Sequence, residues 1–186
     1  MKIFFIEDPL AYDGTQLHSH FAYKKLNISG DSLVAFCGPC KVATDAMVDL
    51  EDVLAGASII AADMLHIIVE HFEDDLLRVI AWQRLLCDLV IEEIHESVDG
   101  LRLIRRGDDV YDAEGRKLTV SIATKSPTSC LIHLGINIDP TGAPVMAVGI
   151  KEWDLNPRAV ATGVMNRYRE EMASMRHARA KVRGIL

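Results

Sequence analysis

The sequence predicts an α+β fold, with a mixed, largely antiparallel sheet and helices packed against it. Between residues 101 and 138, three segments alternate apolar and polar residues and are separated by turn-forming residues, a pattern typical of antiparallel strands. Residues 75–98 instead carry apolar side chains at helical spacing. Because strands and helices do not alternate regularly along the chain, a parallel α/β sheet is disfavoured.

The N-terminal part of the chain contains two predicted strands and a helix. Residues 2–7 form a short strand, and residues 15–26 follow the Asp13-Gly14 turn as a helix. Residues 32–37 are mostly apolar, which indicates a buried strand that stops at Gly38-Pro39. Residues 46–54 are compatible with a short helix or a loop.

Two helices are predicted between residues 59 and 98. Ser58 can cap the first, which covers residues 59–72 and carries an apolar stripe formed by Ile60, Met64, Ile67, Ile68 and Phe72. The second helix, residues 75–98, follows an acidic break and ends at Asp99-Gly100. Its apolar side is expected to pack on the sheet.

The remaining elements are a meander and a final helix. Three strands joined by tight turns are predicted over residues 101–111, 116–125 and 130–138, and residues 145–150 are a further short apolar strand. Asn156 caps the last helix, with Pro157 at its first position, and the helix covers residues 156–183. Residues 1–186 are therefore expected to form a single domain that ends in this helix.

Composition excludes several classes of function. The chain has 186 residues, of which 49% are hydrophobic and 25% charged, as in a globular protein. Its formal charge of −7 argues against a dedicated nucleic-acid binder, since phosphate contacts need a basic face. No apolar run approaches the ~20 residues of a membrane-spanning helix. The N-terminus does not resemble a secretion signal, and four cysteines fit a reducing compartment, so a cytoplasmic location is expected.

A polar sheet face is the principal candidate site. Alternation places Lys117, Thr119 and Ser121 on one face of a predicted strand, and His133, Gly135 and Asn137 on one face of the next. If the strands pair, the two polar rows share a surface. The lysine could then hold a carboxylate or phosphate or polarise a carbonyl oxygen, and the glycine would let a ligand approach the backbone. The alternative is a solvated sheet face with no functional role.

An arginine pair precedes this region. Arg105 and Arg106 are followed by Gly107 and the acidic residues Asp108 and Asp109. The group could form an anion clamp or a surface ladder of ion pairs, and the ladder is the simpler interpretation.

Two closely spaced cysteines form a second, weaker motif. Cys37-Gly-Pro-Cys40 has the spacing of a thioredoxin redox site, but no thioredoxin-like pattern surrounds it, so a turn that holds two thiols is the simpler interpretation. The pair could also join His18 and His20 in a zinc site, although a single Cys-x-x-Cys supplies only half of the ligands. No metal site is assigned from the sequence.

The polar strands resemble a known superfamily. Gly115-Arg116-Lys117-Leu118, Ser121-Ile122-Ala123 and the run from Ile132 to Ile138 are similar to the lysine strand and the following His-Gly strand of biotin/lipoate protein ligases and lipoyl(octanoyl) transferases. In that superfamily the lysine contacts the acyl carboxyl group or its adenylate. The resemblance implies an acyl transferase or ligase that uses ATP or an acyl adenylate. By match to the motif, this lysine is Lys117, and His133 and Asn137 lie in the strand that follows. The resemblance, the polar alternation and the arginine segment together predict catalytic roles for Lys117 and His133. They predict ligand-binding roles for Arg105, Arg106, Asp109, Thr119, Ser121, Gly135 and Asn137.

Nearly the whole chain also resembles a mainly archaeal family known as domain of unknown function 366. The similarity is carried by Tyr12-Asp13-Gly14, the run from Met47 to Asp52, and residues 105–110 and 115–124. It implies the biotin/lipoate ligase-like α+β fold, related to class II aminoacyl-tRNA synthetase cores, and no established activity.

Departures from the superfamily leave alternatives open. The arginine- and glycine-rich loop that clamps the adenylate is absent, and residues 32–42 occupy its place. Val148 stands where octanoyl transferases have their cysteine nucleophile, and valine cannot form a thioester. One hypothesis is a cleft that binds a small carboxylate, acyl group or acyl adenylate. A second hypothesis is a non-catalytic interaction module, and a third is a zinc or thiol-redox protein built on Cys37 and Cys40. Both of the first two hypotheses are compatible with a homo-oligomer.

Overall fold

A five-stranded sheet forms the centre of the computed structural model, which describes residues 1–185. The seven strands of the chain are β1 (Lys2–Ile6), β2 (Ser32–Val42), β3 (Ile59–His71), β4 (Leu103–Arg106), β5 (Asp109–Asp112), β6 (Thr119–Lys125) and β7 (Cys130–Asp139). The helices are α1 (Phe21–Leu26), α2 (Leu50–Ala55), α3 (Leu76–Ser97) and α4 (Pro157–Lys181).

The sheet has the order β1-β2-β3-β7-β6, and β4 pairs with β5 in a separate two-stranded sheet. The strands β1 and β2 are parallel, whereas every other neighbouring pair is antiparallel. The predicted α+β class, with a mixed and largely antiparallel sheet, is therefore confirmed.

Both long helices cover the same face of the sheet. Helix α3 begins at Asp75, whose carboxylate accepts a hydrogen bond from the backbone N–H of Arg78 at 3.0 Å. Helix α4 begins at Asn156, as predicted, with Pro157 in its first turn, and ends at Lys181, two residues before the predicted end. The main core lies between these helices and the sheet, and its fully buried members include Leu65, Ile67, Leu86, Leu134 and Tyr168.

The opposite face is covered by the N-terminal segment. Val34, Phe36, Met64 and Ile68 project from this face, and Tyr12, Phe21 and Ala22 pack over them. The helix predicted over residues 15–26 is limited to Phe21–Leu26, because the residues before it form turns and His20 has a left-handed backbone with φ of 65°. This irregular cover leaves room for a cavity.

The prediction of a helix over residues 59–72 is wrong, because Ile59–His71 is the strand β3. It lies between β2 and β7 and is buried on both faces. A strand buried on both faces carries apolar residues almost continuously, and such a run also contains residues at helical spacing. The many β-branched residues in this run favour the strand.

The strand β2 does not stop at Gly38-Pro39 as predicted. It continues to Val42, with a shift of register against β3 between Gly38 and Cys40. A side chain at residue 38 would place its Cβ 2.2 Å from the backbone oxygen of Leu10, so the N-terminal segment lies directly against this glycine.

Two further strand predictions need correction. Residues 101–111 do not form one strand. They belong to the hairpin of β4 and β5, which turns at Gly107 with φ of 63°. Residues 145–150 form no strand, although Ala147 makes a single parallel bridge to Lys117. In the part of the chain that the structure describes, no helix has the length and apolar character needed to cross a membrane.

Candidate functional site

A cavity of about 360 Å³ lies on the sheet face that is opposite the two long helices. Its volume is within the usual range of small-molecule sites. Much of its wall is apolar and includes Leu17, Val42, Met47, Ile59, Ile60 and Val145. Its polar wall includes Tyr12, Asp52, Asp109, Lys117, His133 and Asn137. The cavity therefore combines an apolar surface with a small number of polar side chains.

Lys117 forms an ion pair with Asp109 inside this cavity. The distance from Nζ to Oδ2 is 2.7 Å, and the two side chains are 25% and 18% exposed. Burial alone would lower the pKa of Lys117, but the neighbouring Asp109 carboxylate outweighs it, and the pKa is raised. The lysine is therefore positively charged at neutral pH.

The backbone around Lys117 is held on two sides. Its N–H donates to the oxygen of Met146 at 2.9 Å, and its oxygen accepts from the N–H of Val148 at 3.0 Å. The side-chain amide of Asn137 on β7 also donates to the Lys117 oxygen, at 3.1 Å. The lysine is thus positioned by the neighbouring strand and by the segment before α4.

Asp109 has one carboxylate oxygen without a partner. Oδ2 contacts Lys117, whereas Oδ1 is buried and receives no hydrogen bond from any residue between 1 and 185. Burial raises the pKa of Asp109 despite the neighbouring lysine. An orphaned buried acceptor is unfavourable unless a donor reaches it.

Three aromatic rings are stacked at another part of the wall. The ring of Tyr12 lies 3.9 Å from that of His133 at an interplanar angle of 9°, and 4.8 Å from that of His66. His66 Nδ1 is 3.1 Å from His133 Nε2, and His66 Nε2 is 3.2 Å from the oxygen of Gly38.

The hydrogen bonds of this stack determine the tautomers of both histidines. A carbonyl oxygen can only accept, so His66 Nε2 carries the proton and donates to Gly38. Neutral His66 then accepts at Nδ1, and His133 Nε2–H is the donor. Burial lowers the pKa of His66 to about 4, while burial and the proximity of His66 hold the pKa of His133 well below its usual value. Both rings are therefore neutral near pH 7.

This arrangement leaves two polar groups of the stack unpartnered. His133 Nδ1 and the Tyr12 hydroxyl take part in none of the hydrogen bonds between the residues that the structure describes. Both residues line the cavity, and each is only 4% exposed. A ligand in the cavity could therefore meet a bare imidazole nitrogen and a phenolic hydroxyl.

The structure brings Lys117, Asp109, His133 and Asn137 to one cavity, but it separates other predicted site residues from them. Residues directly opposite in the register lie on the same face, and Thr119 is opposite Ile136, whereas His133 is opposite Ile122. Ser121 is likewise opposite Leu134, so the prediction that the two polar rows share a face is wrong for both Thr119 and Ser121.

Thr119 and Ser121 are engaged on the helix side of the sheet. The Thr119 hydroxyl accepts from the N–H of Val110 at 2.8 Å. The Ser121 hydroxyl donates to the Asp108 oxygen at 2.5 Å and accepts from Gln83 at 2.7 Å, although Ser121 also borders the cavity. These hydroxyls hold the β4–β5 hairpin against β6.

Gly135 faces the cavity side of β7, but the space beside it is filled. A Cβ at this position would lie 2.6 Å from Cε of Met64. The expectation that this glycine leaves the backbone open to a ligand is therefore wrong.

The two predicted arginines lie outside the cavity. Arg105 Nε contacts Asp88 on α3 at 2.7 Å, and the guanidinium of Arg106 lies over the ring of Tyr111 at 5.5 Å. Arg84 pairs with Asp108 at 2.8 Å. The simpler interpretation of this segment, a ladder of surface ion pairs, agrees with these contacts.

The cysteines are not arranged for redox or metal chemistry. Cys37 packs on the helix side of the sheet, whereas Cys40 packs under the N-terminal segment, so the two thiols point to opposite faces. Burial raises the pKa of Cys37 to about 11 and that of Cys40 to about 12. All four cysteines are free, and within residues 1–185 no group of three or more His, Cys, Asp or Glu side chains could hold a metal ion.

Three residues at the site were not predicted from the sequence. Tyr12 and Asp52 line the cavity, and His66 supports His133 from behind. Tyr12 and His66 meet only because the N-terminal segment crosses the sheet, a long-range contact that no local periodicity encodes. The Tyr12-Asp13-Gly14 turn gave a signal only through the family resemblance.

Similar structures support the fold. A protein of unknown function from Pyrococcus horikoshi is 38% identical, with a TM-score of 0.93, and the match covers 100% of this chain and 99% of that one. Biotin protein ligase from Aquifex aeolicus, in complex with biotin and ATP, has a TM-score of 0.63 at 16% identity over 89% of this chain and 68% of that one. The candidate lipoate protein ligase Ta0514 of T. acidophilum, with bound lipoic acid, has a TM-score of 0.57 at 12% identity. The match covers 92% of this chain and 86% of that one.

The family follows from sequence similarity. An uncharacterised protein of Methanocaldococcus jannaschii is 36% identical over 171 residues, which cover 87% of this chain and 76% of that protein. The family described as domain of unknown function DUF366 matches residues 1–183. This chain belongs to the DUF366 family and has the biotin/lipoate protein ligase-like fold.

Proposed function

We propose that the cavity binds a small carboxylate, acyl group or acyl adenylate, and that Lys117 contacts its carboxyl or carbonyl oxygen. The observation that carries this proposal is the charged, largely buried ammonium group of Lys117 in a cavity of ligand size. One proton of that group is used by Asp109, and two remain for a ligand.

The apolar wall suits the rest of such a ligand. Val42, Ile59 and Ile60 line the cavity and could pack against a hydrocarbon chain or ring. Burial of apolar surface contributes about 25 cal/mol per Å², so this wall would supply much of the affinity. The polar groups would then select the orientation.

Proteins of the same fold lend further support. The Aquifex aeolicus protein has been solved with biotin and ATP, and the Ta0514 protein with lipoic acid. Biotin and lipoic acid each join a carboxyl group to an apolar body. We extend that ligand class, though not either compound, to the present cavity.

Acyl transfer at this site would proceed without a cysteine nucleophile from the cavity. No cysteine between residues 1 and 185 lines the cavity, and Val148 is fully buried in the main core. With an acyl adenylate, Lys117 would instead polarise the acyl carbonyl, and His133 Nδ1 would accept the proton of an attacking amine or hydroxyl group. The new acyl bond would form as the bond between the acyl group and the phosphate breaks, and AMP would leave.

A binding screen tests the proposal. Thermal unfolding would be followed with biotin, lipoate, octanoate, ATP and non-hydrolysable acyl adenylate analogues. A ligand at a hundred times its Kd stabilises the native state by about 2.7 kcal/mol, which gives a measurable shift. The Lys117→Met variant should lose the shift, because it removes the charge and keeps an apolar chain.

Lys151→Met provides the matched control. Lys151 also pairs with an aspartate, Asp139, at 3.1 Å, but it lies outside the cavity. This variant should respond to ligand as the wild type does. If Lys117→Met retains the full shift, the assignment of Lys117 is wrong.

The second candidate function is a non-catalytic interaction module. Large apolar side chains are exposed on the cavity wall, Val48 and Val145, and at sequence positions next to it, Leu50, Leu54 and Met146. Contiguous exposed apolar surface is typical of binding interfaces. The sequence also lacks the arginine- and glycine-rich loop that clamps the adenylate, and residues 32–42, which are expected in its place, form the strand β2. A negative binding screen together with a stable oligomer in multi-angle light scattering would favour this candidate.

A further inference from the structure

Acidic residues outnumber basic ones on the cavity wall. Four aspartates line it, Asp49, Asp52, Asp108 and Asp109, together with Lys117 as the one lysine or arginine of the described lining. Asp108 is paired with Arg84 at 2.8 Å and Asp109 with Lys117 at 2.7 Å. The positive charges near the cavity are therefore already compensated.

Two carboxylates remain without a basic partner. Neither Asp49 nor Asp52 forms an ion pair with any residue of the described chain, 1–185. Asp49 accepts hydrogen bonds from two backbone N–H groups at the start of α2. Asp52 lies in the first turn of α2 and is near enough to contribute to the raised pKa of Lys117.

Hydrogen-bond acceptors without donors are found in the same cavity. Oδ1 of Asp109 is buried without a hydrogen-bond partner. Nδ1 of His133, a residue that is only 4% exposed, takes part in no hydrogen bond within residues 1–185. The tautomer imposed by Gly38 and His66 makes this nitrogen an acceptor. These groups indicate a ligand that brings donors as well as a carboxyl or acyl group.

A carboxylate that also carries an ammonium group would suit these surroundings better than a simple carboxylate. Lys117 is neutralised by Asp109, so a ligand with one negative charge would add to the uncompensated charges of Asp49 and Asp52. Like charges repel strongly where water is partly excluded. A ligand with both a carboxylate and an ammonium group adds no net charge.

We propose that the ligand of this cavity is an amine-bearing carboxylic acid or its acyl form, with the amino group directed to the acidic wall and the carboxyl or acyl group at Lys117. This inference rests on the proposed function and specifies its substrate class. The ammonium group supplies the hydrogen-bond donors that the orphaned acceptors lack, and Asp52 supplies a carboxylate that forms no ion pair within residues 1–185.

Isothermal titration calorimetry of the full chain tests this inference. Straight-chain ω-amino acids of increasing length would be compared with the plain carboxylic acids and the alkylamines of the same length. A charge-assisted hydrogen bond makes the amino acid of suitable length bind about tenfold or more tightly than its plain acid.

The outcomes separate the inference from the proposed function. If the plain acids bind as tightly as the amino acids, the proposed function stands and the inference is overturned. If the alkylamines bind as tightly as the amino acids, the contact of Lys117 with a carboxyl group is wrong, whereas the acidic-wall assignment stands. If none of the compounds binds, the inference is overturned, whereas the proposed function is decided by the screen with biotin, lipoate, octanoate and acyl adenylate analogues.

A charge-removing variant locates the amino group. Asp52→Asn keeps the shape of the side chain and should reduce the preference for the amino acid to about threefold or less. Asp45→Asn removes an exposed carboxylate that does not line the cavity and should keep the wild-type preference. An Asp52→Asn variant that retains the full preference would overturn the assignment.

Discussion

His133 donates a hydrogen bond from Nε2 to Nδ1 of His66 over 3.1 Å, and this contact connects the cavity wall to the strand β3. A second hydrogen bond joins Nε2 of His66 to the oxygen of Gly38 on β2, so the three residues form a chain of hydrogen bonds. Because every donor in this chain has one acceptor, the orientation of His133 and the identity of its free nitrogen are both determined. A long-range hydrogen-bond chain thus gives a cavity residue its chemical character.

The tautomers can be measured directly. Both His66 and His133 should show protonated Nε2 and bare Nδ1 in long-range ¹H–¹⁵N spectra near pH 7.5, because the Gly38 oxygen can only accept. A protonated Nδ1 on neutral His133 would contradict the account of this hydrogen-bond chain.

Stability should fall in mild acid. The folded state keeps His66 neutral, with a pKa lowered to about 4 from 6.5, and burial lowers the pKa of His133 in the same direction. The unfolded chain takes up these protons below pH 6.5, so this contribution to the free energy of unfolding is fully present above pH 6.5 and is lost as the pH falls toward 4. Each histidine adds a slope of up to about 1.4 kcal/mol per pH unit.

Urea unfolding between pH 7.5 and 5 measures this slope. His66→Gln should reduce it, since one buried titrating group is removed, whereas His177→Gln, at an exposed position on α4, should not. Equal slopes in all three proteins would show that the buried histidines are not the cause.

The contact of the N-terminal segment with β2 should be sensitive to a single methyl group. Gly38→Ala would place a Cβ 2.2 Å from the Leu10 oxygen and displace the segment that carries Tyr12. We expect a loss of about 1–3 kcal/mol in the free energy of unfolding. Gly184→Ala, where a Cβ meets no atom within 4 Å, is the control. A Gly38→Ala protein as stable as the control would contradict the close approach.

Asp31 should stabilise the attachment of α4 to the sheet. Its carboxylate contacts Arg176 on α4, accepts from the N–H of Phe72 at 3.0 Å and lies 3.8 Å from His71 Nδ1. The nearby imidazole of His71, together with the N–H of Phe72 and the guanidinium of Arg176, holds the pKa of Asp31 far below its usual value. This stabilisation is present above pH 3.8 and is lost as the pH falls below it.

Denaturant unfolding at neutral pH checks this role. Asp31→Asn should cost about 1–2 kcal/mol, because it weakens charge-assisted hydrogen bonds in a partly buried site. Asp45→Asn, at an exposed position, should change the free energy of unfolding by less than about 0.5 kcal/mol. A negligible effect of Asp31→Asn would show that the contacts of α4 with the sheet are maintained without this carboxylate.

The thiols should be unreactive in the folded protein. Burial raises the pKa of Cys37 and Cys40 to about 11 and about 12, so almost no thiolate exists at pH 8. Titration with a thiol-reactive chromogenic disulfide should give little reaction before unfolding and complete reaction in denaturant. Rapid labelling of two thiols in the native state would contradict the buried arrangement.

The strands β6 and β7 and the start of α4 could be predicted because the patterns that indicate them lie within a few neighbouring residues. Alternation in residues 119–125 and 130–139 marks strands with one apolar face, and Asn156-Pro157 marks the start of α4. The central strand β3 was not predictable in the same way. Its burial on both faces removes the alternation that distinguishes a strand from a helix.

The site was predictable only in part. Lys117, His133 and Asn137 lie on the two strands that the sequence pairs, and they do line one cavity. The alternation also suggested Thr119, but the cross-strand register assigns it to the other face. Asp52 and Tyr12 come from distant segments, and their place beside Lys117 depends on tertiary packing.

The most direct test of the account is the mapping of a bound ligand by chemical-shift perturbation. Isotope-labelled protein would be titrated with octanoate, lipoate, biotin and an ω-amino acid. We predict that at least one of them shifts the amide signals of Tyr12, Lys117 and His133 and that Lys117→Met abolishes the effect. No shift with any of them, or shifts confined to the separate pocket beside Glu70 and Phe72, would contradict the assignment of this cavity as the ligand site.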